Sequence, residues 1–224
     1  MITVHHLNNS RSQRILWMLE ELGLEYEIRK YERDPETIRA PDSLKQIHPL
    51  GKAPVLTDGD AVIAESGAII EYLADTYGGG LKPETASADY RRYVYFMHFA
   101  EGSVMTPLIV KLIADRMEMA KMPFFAKPIA KGIAKQIRQG FALPEIQKLL
   151  AFLEGELADR DWFAGDRLTG ADIQMSYPLE AAVARGGLTK KTHPRLKAFV
   201  DRIQERDAYK RAIERGGEYD FYSG

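Results

Sequence analysis

The 224-residue chain contains no cysteine. Disulfides, zinc ribbons, thiol nucleophiles and CxxC redox pairs are therefore excluded as chemistry of its own. Neither sign of charge is in excess: Lys plus Arg total 31 against 32 Asp plus Glu, a net charge of −1. That balance points to neither nucleic acid nor an anionic membrane as the main partner. No apolar run approaches the ~18 residues of a spanning helix. The N-terminal residues Met1 to His6 lack the basic and apolar regions of a signal peptide. The expected location is the cytoplasm. At 45% hydrophobic and 28% charged, the chain can bury a sizeable core.

The first eighty residues and the remainder are patterned differently. Ile2 to His5 alternates as a short strand does, and Asn8-Asn9-Ser10 ends the run. Ile15, Met18, Leu19 and Leu22 then fall on one face of a helix that Gly23 closes. Tyr26 to Arg29 predicts a second strand, and Ser43 to Ile47 a short helix after Pro35 and Pro41. Asp58-Gly59-Asp60 between two apolar runs predicts a hairpin, because glycine tolerates the positive φ of the turn. Ser66 opens a further helix with Ile69, Ile70, Leu73 and Tyr77 inward, ended by Gly78-Gly79-Gly80. The order β-α-β-α-β-β-α predicts a mixed four-stranded sheet, parallel through the helical crossover and antiparallel at the hairpin.

Residues 81–88 form a Lys/Pro/Ser/Ala-rich connector, and no strand pattern follows it. The apolar positions from Tyr90 to Leu112 predict a long helix bent near Pro107. Further helices are predicted after Pro128 and Pro144, over Gly170–Arg185 and over Arg195–Glu205. The expected organisation is residues 1–80, a linker 81–88, and an all-helical part 89–224.

Three stretches of the first part suit chemistry, and each also has a plain structural explanation. Ser10 stands where the first strand meets the first helix. A helix N-terminus and a hydroxyl together favour an anion such as a thiolate, but a capping box with Gln13 accounts for the same spacing. In His48-Pro49-Leu50-Gly51-Lys52-Ala53-Pro54-Val55, a cis Pro54 exposes the Val55 backbone to an extended peptide, and Lys52 can hold a carboxylate. The alternative is a Pro/Gly loop with a solvated lysine. Glu65-Ser66 at the next helix start can receive an ammonium and a carboxylate, or simply cap that helix. Together the three describe a receptor for a short acidic thiol peptide.

These stretches, with Glu65-Ser66-Gly67-Ala68-Ile69-Ile70-Glu71-Tyr72-Leu73 and Leu168-Thr169-Gly170-Ala171-Asp172-Ile173, make the chain resemble a cytosolic glutathione transferase, closest to serine-type bacterial and fungal members. The resemblance covers nearly the whole chain. It implies a thioredoxin-like N-terminal domain, an all-α second domain and a homodimer. It implies that Ser10 contacts the glutathione sulfur, with Ser12 and Asn9 as alternatives. It places Val55, after cis-Pro54, on the cysteinyl backbone, Glu65 and Ser66 on the γ-glutamyl end, and Lys52 on the glycine carboxylate. His48 replaces the family's usual Asn and is given no role. Thr169 and Asp172 are a helix cap, and His6 sits near the helix turn rather than on a metal.

The expected reaction is addition of a glutathione thiolate to hydrophobic electrophiles. The alternatives are glutathione-dependent peroxide reduction and a binding module without turnover. Glutathione is the co-substrate, with no cofactor, metal, nucleic acid or membrane expected. Met117, Met119, Met122, Phe124 and Phe125 read as core packing, with Met117 and Phe124 as candidates for the electrophile pocket. Glu20-Glu21 and Lys190-Lys191 read as solvated faces.

Overall fold

A computed structural model describes residues 1–222, so Ser223 and Gly224 of the expected helical part lie outside the described residues. The N-terminal part is thioredoxin-like. It runs β1 (Ile2–Leu7), α1 (Gln13–Leu22), β2 (Tyr26–Tyr31), a 3-10 turn (Asp42–Gln46), β3 (Val55–Asp58), β4 (Ala61–Ala64) and α2 (Ser66–Tyr77). The sheet order is β2-β1-β3-β4. The crossover pair β1 and β2 is parallel, while β3 is antiparallel to both β1 and β4. Gly59 turns the hairpin at φ 57°, the conformation that the Asp-Gly signal anticipates.

The helical part contains α3 (Ala88–Phe99), α4 (Met105–Met119), α5 (Lys127–Ile137), α6 (Leu143–Glu156), α7 (Gly170–Ala181), α8 (Pro194–Glu205) and α9 (Asp207–Gly216). A π-helical turn over Ala100–Val104 joins α3 to α4. The irregularity expected near Pro107 therefore sits just before it, as an extra residue in the turn. The joined helix Ala88–Met119 is long and apolar enough to cross a bilayer by length and composition. Its Tyr93, Phe96, Met97 and Leu108 are instead buried in the core.

One apolar core runs through both parts, from Ile2 and Trp17 to Phe199 and Tyr209. The segment between α2 and α3 is tied into it: Leu81 is buried, and its carbonyl accepts from Gly170 N at 2.8 Å. At the start of α7, Asp172 accepts from Thr169 N, Thr169 Oγ1 and Phe163 N at 2.7–2.8 Å. The Thr-x-x-Asp signal is thus a buried cap that also fixes the preceding loop.

Four readings of the sequence are corrected. Helix α9 went unforeseen, and it packs on α1 with Trp17 edge-on to Tyr209. The Glu20-Glu21 pair that it covers is no solvated face. Glu20 accepts from Tyr26, Arg211 and Arg215, and Glu21 from Trp17 and Arg206. Met119, Phe124 and Phe125 are exposed instead of forming core. Tyr77 is partly exposed, because its hydroxyl reaches back to Asp58.

Candidate active site

A cavity of about 780 Å³ opens between the sheet end and the helical part. Ser10, Lys52, Pro54, Glu65 and Ser66 all line it, so residues far apart in sequence meet on one wall. Val55 does not line it. It is fully buried, registered against His5 on one side and Ala64 on the other. The wall there is Ala53 and the cis Pro54. The Ala53 N–H and C=O have no hydrogen-bond partner among the described residues. Met117 and Phe124 are absent from the lining too; Phe124 points away, 85% exposed. The helical part reaches the cavity through Glu101, Ile109 and Tyr177 instead.

At the start of α1 the expected Ser10–Gln13 capping box is not formed. Ser10 Oγ accepts from Ser12 N at 3.2 Å and lies 2.7 Å from Ser12 Oγ, while Gln13 Nε2 is buried without a partner. Ser12 is fully buried, its Oγ 2.9 Å from His6 Nδ1 and 3.2 Å from Leu7 N and Leu7 O. Asn9 is turned outward: its Oδ1 accepts from Asp220 N. Of the three candidates Asn9, Ser10 and Ser12, Ser10 lines the cavity and the other two do not.

His6 sets the proton arrangement behind it. Burial and nearby Lys30 push its pKa down to about 4, against a backbone hydrogen bond to Gly216 that raises it. The ring is neutral at pH 7. If its Nε2–H serves Gly216, its Nδ1 accepts from Ser12, so the 2.7 Å Ser10–Ser12 contact is made by the Ser10 proton, which must turn from Ser12 to serve a ligand in the cavity. The helix end therefore reaches the cavity through the Ser10 hydroxyl.

The start of α2 is organised differently. Glu65 takes φ 70°, the left-handed region, where a non-glycine residue is strained by ~1–3 kcal/mol. The Ser66, Gly67 and Ala68 N–H groups are left without backbone partners among the described residues. Ser66 Oγ accepts from Arg14 Nη2 at 2.5 Å. Arg14 also gives Nη1 to Gln174 O at 2.6 Å and pairs with Glu101. Its side chain is only 1% exposed. Burial pushes the guanidinium below its usual pKa, and Glu101 pulls it back. Burial likewise opposes the Glu101 charge, but Arg14 and Arg11 outweigh it and hold that carboxyl below its usual range. Glu101 belongs to the π-helical turn of the helical part, so the turn joins the two parts at the site.

Cations dominate the rest of the rim. Arg33, Arg39, Lys45 and Lys52 line it, with Lys45 paired to Asp42 at 2.6 Å. Tyr177 stands across from them under the Arg11 and Arg14 guanidiniums. Sequence reasoning missed Glu101, Tyr177 and Arg39. Only the pairing of Arg11 and Arg14 inside the serine turn hinted at a buried acidic partner.

Residues 10–76 match the family of glutathione S-transferase N-terminal domains, and residues 112–207 that of the C-terminal domains. The chain is 36% identical over 216 residues to glutathione S-transferase 3 of Schizosaccharomyces pombe, covering 96% of this chain and 88% of that one. It is 34% identical over 223 residues to glutathione S-transferase 1 of Saccharomyces cerevisiae, covering 96% and 95%. Among solved structures, a glutathione S-transferase from Actinobacillus pleuropneumoniae aligns with TM-score 0.79 and 33% identity, covering 99% of this chain and 95% of the other. A sphingomonad glutathione S-transferase complexed with glutathione aligns with TM-score 0.73 and 25% identity, covering 96% and 98%.

Proposed function

Because the chain belongs to the glutathione S-transferase family, and is a glutathione transferase, we propose how this cavity holds the peptide and activates its sulfur. The observation that carries the reading is the placement of Ser10, a cavity hydroxyl that accepts the Ser12 N–H at the start of α1 and whose proton can turn from Ser12 to a ligand. A thiolate beside it gains a directed hydrogen bond and the positive end of α1. Lowering a thiol pKa by ~2 units needs ~2.7 kcal/mol of preference for the anion, within reach of those two effects.

The rest of the peptide follows from the wall. The free N–H groups of α2 receive the γ-glutamyl carboxylate, and Glu65 takes its ammonium. Ala53, not Val55, offers the unpaired backbone for the cysteinyl unit. Lys52 holds the glycine carboxylate, with Arg39, which has no ion-pair partner among the described residues, on the same rim. A hydrophobic electrophile approaches from the Ile109 and Tyr177 side, so residues 1–80 hold the peptide and 89–224 close the cleft.

The chemistry at the sulfur is simple. The thiolate attacks an electrophilic carbon, forms the thioether and expels the leaving group, or its addition product takes a proton from solvent. Ultraviolet titration of the bound thiolate, with conjugation assayed over a panel of electrophiles and peroxides, tests the reading. A bound thiol with its free-solution pKa removes it.

We also propose a two-fold homodimer. Val62 on β4, Tyr77 on α2 and Tyr95 on α3 are 37–49% exposed, and Tyr95 and Phe99 stack with Phe152 nearby. Such an aromatic surface suits burial against a second copy. Light scattering at micromolar concentration is expected to give twice the 25.3 kDa chain mass; a single-chain mass rejects the dimer.

A further inference from the structure

From Met119 to Pro144 the chain carries Lys121, Lys127, Lys131, Lys135 and Arg138, and no Asp or Glu. Four lysines and one arginine make this stretch +5 inside a chain of net charge −1. Apart from Met1, the most exposed large apolar side chains of the protein lie in the same stretch: Phe124 at 85%, Met119 at 77%, Phe125 at 67% and Ile129 at 65%. Whole-chain charge conceals the segment, because acidic residues elsewhere cancel it.

Part of this charge is used internally. Arg138 pairs with Asp115 and Glu118. Lys131 meets Glu118 only at 3.9 Å, with 73% of its side chain exposed. Lys121, Lys127 and Lys135 have no ion-pair partner among the described residues. On α5, Ile129 and Ile133 are one turn apart, as are Lys127, Lys131 and Lys135, so an apolar row and a basic row flank the exposed arc. Only Ala134 of this helix is fully buried. Ile109, on the cavity wall, and exposed Ile113 one turn later lead along α4 toward Met119.

We propose that residues 119–141 form a peripheral membrane face for an anionic lipid surface. Phe124 and Phe125 enter the boundary between headgroups and acyl chains, and the isoleucine row of α5 lies along it. The lysine row meets lipid phosphates, its stems reaching along the apolar surface. A second copy is the poorer occupant, because a two-fold contact sets the same unpaired lysines against one another. Binding here is independent of catalysis and of how glutathione is held.

Co-sedimentation of the full chain with vesicles tests this. Vesicles of phosphatidylcholine with added phosphatidylglycerol are expected to carry the protein down, in a salt-sensitive manner, and phosphatidylcholine alone to leave it in solution. Phe124→Ser with Phe125→Ser, and separately Lys127→Glu with Lys135→Glu, are each expected to weaken binding by roughly tenfold or more. Unchanged glutathione conjugation in solution shows that both variants are folded. No sedimentation of the native chain overturns the proposal, as does equal binding to both vesicle types. Capture by neither vesicle, with a light-scattering mass that drops in the phenylalanine variant, overturns it in favour of a second copy.

Discussion

Two serines stand at two helix starts on the same cavity, and their surroundings make them different instruments. Ser10 precedes α1 and is backed by neutral partners: the Ser12 N–H, the Ser12 hydroxyl and, behind them, a neutral His6. Ser66 begins α2 and is backed by a buried cation, Arg14, itself anchored on Glu101 and Gln174. A hydroxyl held only by neutral groups, whose proton can turn from Ser12 to a ligand, suits a soft, monovalent sulfur anion. A hydroxyl already gripped by a guanidinium, beside free N–H groups, suits a carboxylate. Serine at a helix start therefore does not specify a ligand; what lies behind it does.

Removing the cation breaks the comparison most severely. Arg14→Met leaves Gln174 O and Glu101 short of a buried partner and is expected to destabilise the fold by about 3–5 kcal/mol. Urea unfolding measures this. A loss below ~1 kcal/mol would mean that the pair behaves as an exposed one.

Ser10→Ala sharpens the contrast in catalysis. The helix end remains, so the conjugation rate is expected to fall roughly ten- to a thousand-fold without vanishing. The pH–rate curve should move to higher pH as the bound thiol pKa rises. Coincident curves for the two proteins would reassign Ser10 to structure alone.

Ser66→Ala is expected to weaken glutathione binding by ~1–3 kcal/mol. The effect should appear in KM and leave the pH–rate curve in place, the reverse of Ser10. A shift of that curve would merge the two roles.

The smallest effect concerns His6, behind Ser10. Its folded pKa of about 4 lies below the usual 6.5, so the unfolded chain binds the proton first and stability falls as pH drops through that window. Relative to neutral pH, His6 is expected to cost about 1.2 kcal/mol at pH 5.5. Buried Asp172, raised by burial to about 6, works in the opposite direction. The difference between the native chain and His6→Gln isolates the histidine, and parallel pH–stability curves for the two would contradict its burial as a neutral ring.

Much of this was legible from local pattern. The strand order, the Asp-Gly hairpin, the Thr169–Asp172 cap and the serine-led helix starts are short-range features, decided by turn chemistry and by the period of apolar residues. Ser10, Lys52, Pro54, Glu65 and Ser66 were singled out for the same reason, since each sits at a break between elements. Val55 was misplaced because a cis bond signals where the chain turns but not which adjoining residue keeps its ladder partners. Met117 and Phe124 failed because apolar spacing marks a face without saying whether anything covers it.

The sequence by itself determined the two-part plan, the family resemblance and the segments from which a site can be built, all consequences of local propensity and spacing. Tertiary structure decided the rest. Glu101 meets Arg14 across 87 positions of chain. Glu20 finds Arg211 and Arg215 about 190 residues away. Ser12 is sealed inside while Ser10 faces the cavity. Charge pairing and burial depend on which surfaces meet in space, and no periodicity along one segment encodes its partner in another.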